Sequence, residues 1–274
     1  MDVGDLSPVE QTALLTEYAR AVDARLPEPL LGDPLAERTV AQLDFDFTTL
    51  GVTPSVRSLV ALRAKMLDEK IATFVAAHPD AVVVDIGAGL NSVLFRIAPP
   101  PTVDWYSVDL PAVIALREKV LPTHDRSRSV AASLTEPQWT NSIPADRPTL
   151  VLADGLFAFL TEPVVIAILR RITEHFGSGV VVFNDYGPVS RLNRIMGKLA
   201  TRGANSPHSQ WDFPGFKDAH HPESWAPRLR LLAEASVMQR PEAAAFPPAL
   251  RLAGRLSRWV PAIARKARVL QYGF

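Results

Sequence analysis

Four short apolar runs constrain this chain more than any other feature: Ala81–Gly87 (AVVVDIG), Val103–Asp109 (VDWYSVD), Thr149–Asp154 (TLVLAD) and Gly179–Asp185 (GVVVFND). Their apolar character is nearly unbroken, as in strands buried on both faces of a parallel sheet. Helical patterns separate them: one at Pro111–Leu121, and one opened by Thr161-Glu162-Pro163 that runs to Phe176 and stops at Gly177-Ser178-Gly179. Strands alternating with helices at this spacing predict a doubly wound, mostly parallel α/β sheet. Further strands are expected at Arg128–Ala132, within Leu229–Met238 and at Ala267–Phe274.

Residues 1–80 read as an N-terminal helical cover. A first helix is expected over Ser7–Ala24, with Ser7 as N-cap, Pro8 at the first helical position and Glu10 completing a capping box. A second is expected at Leu35–Leu43 and a third from Pro54 to about Ala77. Residues 81–200 form the α/β core, and 201–274 an insertion on the ligand side with the last strands of the same domain. Residues 201–222 (TRGANSPHSQWDFPGFKDAHHP) have no periodicity and many Gly, Pro, His and aromatic residues, which predicts a long loop beside the site.

Composition narrows the partners. The formal net charge is +0, which supplies no global pull toward nucleic acid or membranes. The absence of cysteine excludes disulfides and thiolate metal sites. No stretch approaches the roughly 20 apolar residues of a membrane span, and the opening MDVGDLSPVE lacks the apolar run of a signal peptide. A cytoplasmic protein acting on a small molecule is expected, with a homodimer left open.

The segment Asp85-Ile86-Gly87-Ala88-Gly89 follows the first strand directly. Glycines there allow a ligand close to the backbone. The dinucleotide fingerprint wants a third glycine, where this chain has Ser92. A nucleoside without pyrophosphate, such as S-adenosylmethionine, does not need it. Asp109 ends the second strand, where a carboxylate accepts both hydroxyls of an adenosine ribose. Nicotinamide enzymes use the same position, and the bland alternative for Asp109 is a capping acid for the Pro111 helix. Arg63 falls inside the apolar stripe of the third helix, four residues after Leu59 and four before Leu67. A guanidinium turned inward requires an anionic partner. A ligand carboxylate, a protein acid, or escape of the side chain to the edge each answers that requirement.

With these residues in place the chain resembles the leucine carboxyl methyltransferase superfamily, in its bacterial branch of polyketide O-methyltransferases. The likeness runs through TALLTEYARA, LLGDPLA, VALRAKMLD, VVVDIGAGLNSVLFRI, WYSVDLPAVIALREKVL, LVLADGLFAFLTEPVVIAILRRI, and QWDFPGF through RLRLLAEAS. It implies a class I methyltransferase fold with a Rossmann-like sheet and S-adenosylmethionine as cofactor. The implied cofactor residues are Arg63, Asp85, Gly87, Ala88, Gly89, Asp109, Leu110, Ser133, Leu134, Ala153 and Asp154. Phe157 and Trp211 are implied on the acceptor side. Two positions depart from the family pattern: Asp154-Gly155 with Phe159-Leu160 stands for Glu-Gly with a tyrosine, and Ser133-Leu134 for Asp-Leu.

Methyl transfer from a sulfonium is an in-line displacement, so alignment of donor and acceptor dominates. A hydroxyl acceptor also loses a proton, whereas a carboxylate acceptor does not. Open α/β sheets bind ligands beyond the carboxyl ends of their strands, which nominates Asp185, Tyr186, His208, His220 and His221 as general bases. Asp212 and Asp218 add acids to the same region, but no metal-ligand spacing is recognisable, and no metal is assigned. Ala243–Phe274 contains no acid and carries Arg251, Arg255, Arg258, Arg265, Lys266 and Arg268. One solvated helix face is expected for them, against the sharper alternative of an anionic acceptor or carrier docking there. The competing functional classes are a nicotinamide-dependent oxidoreductase, disfavoured by Ser92 and by the lack of a Tyr-x-x-x-Lys pair, and a non-catalytic binding protein.

Overall fold

The computed structural model describes residues 6–7, 10–187 and 211–274. A seven-stranded sheet comprises β1 (Val82–Ile86), β2 (Asp104–Asp109), β3 (Ser127–Ala131), β4 (Thr149–Ala153), β5 (Gly179–Asp185), β6 (Arg230–Ser236) and β7 (Arg268–Gly273). Its order is β3-β2-β1-β4-β5-β7-β6. The first five strands run parallel to one another, and β7 runs antiparallel between β5 and β6. This is the class I methyltransferase sheet, with its reversal of strand order between β1 and β4.

The apolar runs read as continuous because both faces of the sheet are covered. Val82, Val84 and Ile86 join one core with Ile168, Leu169 and Ile172 of α6 (Glu162–His175). Val83, Leu150, Leu152 and Trp105 face Leu62, Met66, Leu67 and Ile71 of α3 (Pro54–Ala77). The two-residue alternation of a strand sends neighbours to opposite cores.

The helical cover contains α1 (Thr12–Ala24), α2 (Pro34–Gln42) and α3. Thr53 caps α3 by accepting from Val56 N at 3.2 Å, with Pro54 in its first turn. The expected capping box exists as hydrogen bonds: Ser7 N donates to Glu10 Oε2 at 2.7 Å, and Glu10 N to Ser7 Oγ at 3.4 Å. Regular helix nevertheless begins only at Thr12, so the box closes a preceding turn. Asp33 caps α2 through Ala36 N at 3.2 Å and also receives Arg96 Nη1 at 2.7 Å and the Ser92 hydroxyl. One buried carboxylate thereby ties the cover to α4 (Val93–Ile97), the short helix after the glycine loop.

The remaining helices are α5 (Pro111–Val120), α7 (His221–Trp225), α8 (Pro248–Ser257) and α9 (Pro261–Ala264). The basic C-terminal residues do not share one solvated helix face. Arg268 lies on β7, directly opposite Asp185 of β5, and is buried. Arg251 and Arg255 are exposed on α8, and Arg258, Arg265 and Lys266 are exposed beyond it. No described helix is long and apolar enough to cross a membrane.

Candidate functional site

A cavity of about 510 Å³ opens at the carboxyl ends of β1, β2 and β4. Its size suits a nucleoside cofactor with part of an acceptor. One wall is the glycine loop: Gly87 and Gly89 have φ of 65° and 49°, the left-handed region that favours glycine. A Cβ on Gly87 would also lie 2.8 Å from Leu156 Cδ1. Arg117 of α5 holds this loop from behind, donating Nη1 to the carbonyls of Gly89 (3.1 Å) and Asn91 (2.7 Å). Asp109 borders the cavity beside it, with Oδ2 accepting from Gly89 N and Oδ1 from Leu110 N, both at 2.7 Å. Each carboxylate oxygen keeps a lone pair for a further donor. Burial raises the Asp109 pKa, opposed by those two amides.

Arg63 enters from α3, where it is 5% exposed. Its Nε lies 2.7 Å from Asp154 Oδ1, yet these two atoms are close as charges and poorly aligned as a hydrogen bond. Nη1 donates to the Tyr186 hydroxyl at 2.5 Å. Nη2 is buried without a hydrogen-bond partner. Burial opposes the charge, but Asp154 and Tyr186 outweigh it and raise the Arg63 pKa. Tyr186 stacks on Trp211, ring centroids 4.4 Å apart and planes at 24°. The chain around Trp211 is anchored where Asp212 N and Phe213 N donate to the Ala158 carbonyl at 2.9 and 3.2 Å.

The expected cofactor residues Arg63, Gly87, Ala88, Gly89, Asp109, Leu110, Ser133, Leu134 and Asp154 all line this cavity. Asp85 and Ala153 lie behind it, buried at the ends of β1 and β4. Both Asp85 oxygens lack hydrogen-bond partners, and burial pushes the pKa up to about 7, with Arg117 pulling it down and Asp154 and Asp109 pushing it further up. On the acceptor side Tyr186 and Trp211 line the cavity, but Phe157 does not. Phe157 is turned into the core against Phe183, at 4.8 Å, while Phe159 and Leu160 take the wall.

The proposed bases are corrected by placement. Asp185 is buried in an ion pair with Arg268 at 2.8 Å and accepts from Phe216 N at 3.3 Å, so it serves the β5–β7 junction. His220 is exposed beside Glu223 at 3.2 Å, and His221 is exposed against the Trp225 ring. His208 lies outside the described residues. Of the described candidates, Tyr186 alone reaches the cavity. No cluster of three or more His, Asp or Glu residues suited to a metal forms among the described residues.

Sequence reasoning missed several contributors. Arg117 is a buried guanidinium inside an apolar helical stripe (Val113, Ile114, Val120 and Leu121), the signal that singled out Arg63, whereas buried Arg20 shares its helix face with the acids Glu17 and Asp23. Arg20 lines the cavity and is paired with Glu17 at 2.5 Å and Asp33 at 3.7 Å. Asn184 Oδ1 accepts from Gly155 N at 2.5 Å and fixes the turn after β4. Thr12, Ala13, Leu15 and Thr16 of α1, with Leu50, Val56 and Leu59, roof the cavity.

The family model for leucine carboxyl methyltransferase matches residues 13–173. Tetracenomycin polyketide synthesis O-methyltransferase TcmP of Streptomyces glaucescens is 36% identical over 98% of this chain and 98% of its own. The S-adenosyl-L-methionine-dependent methyltransferase dpfgK of Gibberella zeae is 32% identical over 68% of each chain. Among solved structures, an S-adenosylmethionine-dependent methyltransferase from Anabaena variabilis superposes with TM-score 0.51 at 14% identity, covering 98% of this chain and 95% of that one. A protein from Thermobifida fusca superposes with TM-score 0.57 at 13% identity over 93% of each chain.

Proposed function

Because the chain belongs to the leucine carboxyl methyltransferase family and is an S-adenosylmethionine-dependent methyltransferase, we propose that it methylates a hydroxyl on a small or medium-sized, largely apolar acceptor. The oxidoreductase and binding-protein alternatives fall away with that membership.

The residues present fit the cofactor. Arg63 Nη2 is a buried donor without a partner at the cavity wall, suited to the methionine carboxylate. Asp109 retains acceptor capacity for the ribose hydroxyls, and Gly87–Gly89 offer close backbone approach. Ser133 and Leu134 would flank the adenine. S-adenosylmethionine, when bound, supplies an activated methyl group on a sulfonium. The chain's own contribution is to align the acceptor and keep water out of the reacting space.

One observation carries the choice of acceptor. Of the cations on the described cavity wall, Arg20 is paired with Glu17 and Asp33, and Arg63, already facing Asp154, is taken up by the cofactor carboxylate. An anionic acceptor would therefore enter without a free counter-charge. The acceptor wall is instead apolar and aromatic, built by Leu50, Val56, Leu59, Phe159, Leu160 and Trp211. A neutral, apolar hydroxyl compound suits it, in keeping with the 36% identity to a polyketide O-methyltransferase. The Tyr186 hydroxyl, oriented by Arg63 and Trp211, is positioned to hold the acceptor hydroxyl and receive its hydrogen bond.

The test is turnover with phenols, sugar hydroxyls and aliphatic carboxylates of matched size. Phenolic or other apolar hydroxyl acceptors should be methylated and the carboxylates should not; preferential esterification of a carboxylate overturns the assignment. Tyr186→Phe should lower turnover at least about 100-fold if Tyr186, as the phenolate beside Arg63, takes the acceptor proton, with affinity for S-adenosylhomocysteine nearly kept. Full activity of that variant places the base elsewhere.

A further inference from the structure

The whole-chain charge balance conceals a local asymmetry. Between Ala243 and Phe274 there is no acid, and Arg251, Arg255, Arg258, Arg265 and Lys266 are all exposed. The same stretch exposes large apolar side chains: Trp259 at 85%, Leu252 at 57%, Leu256 at 45% and Val260 at 42%. Leu252, Leu256 and Trp259 follow one another at four- and three-residue steps, so they form one stripe. The opposite side of α8 is fixed to the body. Gly254 packs against the Met238 carbonyl, and the Ser257 carbonyl accepts from Gln239 Nε2 at 3.2 Å. The apolar stripe therefore points away from the protein, and an arginine directly precedes each of its members.

We propose that this face docks on an anionic lipid surface, with Trp259, Leu252 and Leu256 entering the interface and the neighbouring arginines meeting the headgroups. An outward apolar stripe flanked by cations is the pattern of a helix lying in a membrane interface. Indole rings favour the headgroup level, and arginine stems reach along apolar surface to place their charge there. A second copy of the chain is a poorer occupant. A two-fold contact through this stretch would bring two acid-free, arginine-rich surfaces together. Trp259 is 85% exposed, so a rigid partner would have to enclose it on several sides, whereas a fluid interface moulds around it. The patch adjoins the catalytic cavity through the backbone: Gly187, next to Tyr186, packs against the Arg265 carbonyl without room for a Cβ.

Co-sedimentation of the full chain with vesicles tests this. The probes are phosphatidylcholine alone and phosphatidylcholine with phosphatidylglycerol, at low and high salt. Wild type should sediment with the anionic vesicles, remain in solution with the neutral ones, and be released by salt. The double variant Arg255→Glu, Arg258→Glu should weaken binding at least about 20-fold, since each interfacial arginine contributes roughly fivefold. Trp259→Ser should also weaken it markedly, while both variants keep the wild-type melting temperature and its shift with S-adenosylhomocysteine. Failure of wild type to sediment overturns the proposal. Equal binding to neutral vesicles, or unchanged binding by both variants, overturns it as well. So does self-association that Trp259→Ser abolishes, because the occupant is then a second copy.

Discussion

Arg268 and Arg63 are both buried guanidiniums, and the molecule treats them differently. Arg268 donates to Asp185 at 2.8 Å, to Glu234 at 2.6 Å and to the Phe216 carbonyl at 2.5 Å, so all three of its nitrogens are engaged. Arg63 has one off-axis carboxylate, one phenol and one nitrogen without a partner. The first is a saturated cross-link between strands. The second keeps donor capacity at the wall of a cavity. Burial of an arginine therefore does not identify its task, whereas the completeness of its hydrogen bonding separates a structural role from a binding one.

The sharpest way to break this comparison is to remove both cations. Arg268→Met strands Asp185 in the sheet without its partner, and should cost about 3–5 kcal/mol of stability, read from denaturant unfolding. Arg63→Met should destabilise the empty protein by less than half as much, because Arg63 makes one aligned hydrogen bond where Arg268 makes three. Equal losses would make Arg63 a structural cross-link like Arg268.

The ligand arm is the next largest effect. Arg63→Met should weaken S-adenosylhomocysteine binding by about 1.5–3 kcal/mol, the range for hydrogen bonds to charged groups, or roughly 10- to 150-fold by calorimetric titration. Arg63→Lys should recover only part of this, since an ammonium keeps charge without the two-pronged geometry. Arg268→Met should leave affinity nearly unchanged wherever the variant remains folded. Asp109→Ala should cost a similar or somewhat smaller amount, near the lower end of that range, because its carboxylate is already shared with Gly89 N and Leu110 N. Unaltered affinity would remove Asp109 from the ribose site.

The smallest change, counted per pH unit, concerns Asp85, a buried group with both oxygens unpartnered. Its folded pKa, raised to about 7 chiefly by burial, exceeds an unfolded value of about 4. The native state therefore holds this proton more tightly than the unfolded chain. The stability it contributes is full below about pH 4 and is lost as pH rises toward about 7. Asp85→Asn should remove a slope of up to about 1.4 kcal/mol per pH unit across that window, measurable as a flatter dependence of unfolding free energy on pH. An unchanged slope would mean that Asp85 is ionised throughout.

The sheet, the glycine loop and the position of Asp109 were legible because they arise from local pattern. Unbroken apolar runs mark doubly buried strands, and the Gly87 and Gly89 conformations require glycine. Arg63 was legible as an inward charge, for the same periodic reason that applies to Arg117. What it faces was not. Asp154 and Tyr186 meet it only because β4 and β5 end beside α3, and register between distant segments leaves no trace in local spacing. The acceptor side shows the limit most clearly. Asp185 and Tyr186 are adjacent in sequence, yet the alternation of β5 sends Asp185 to Arg268 on β7 and leaves Tyr186 to the cavity. His220 and His221 looked equally reactive and came to rest in solvent. The amino-acid pattern determined which residues become buried and which strands form. Tertiary pairing alone decided which buried charges are spent on one another and which remain available to a ligand, because a polar group's partner is set by the three-dimensional meeting of segments far apart in the chain.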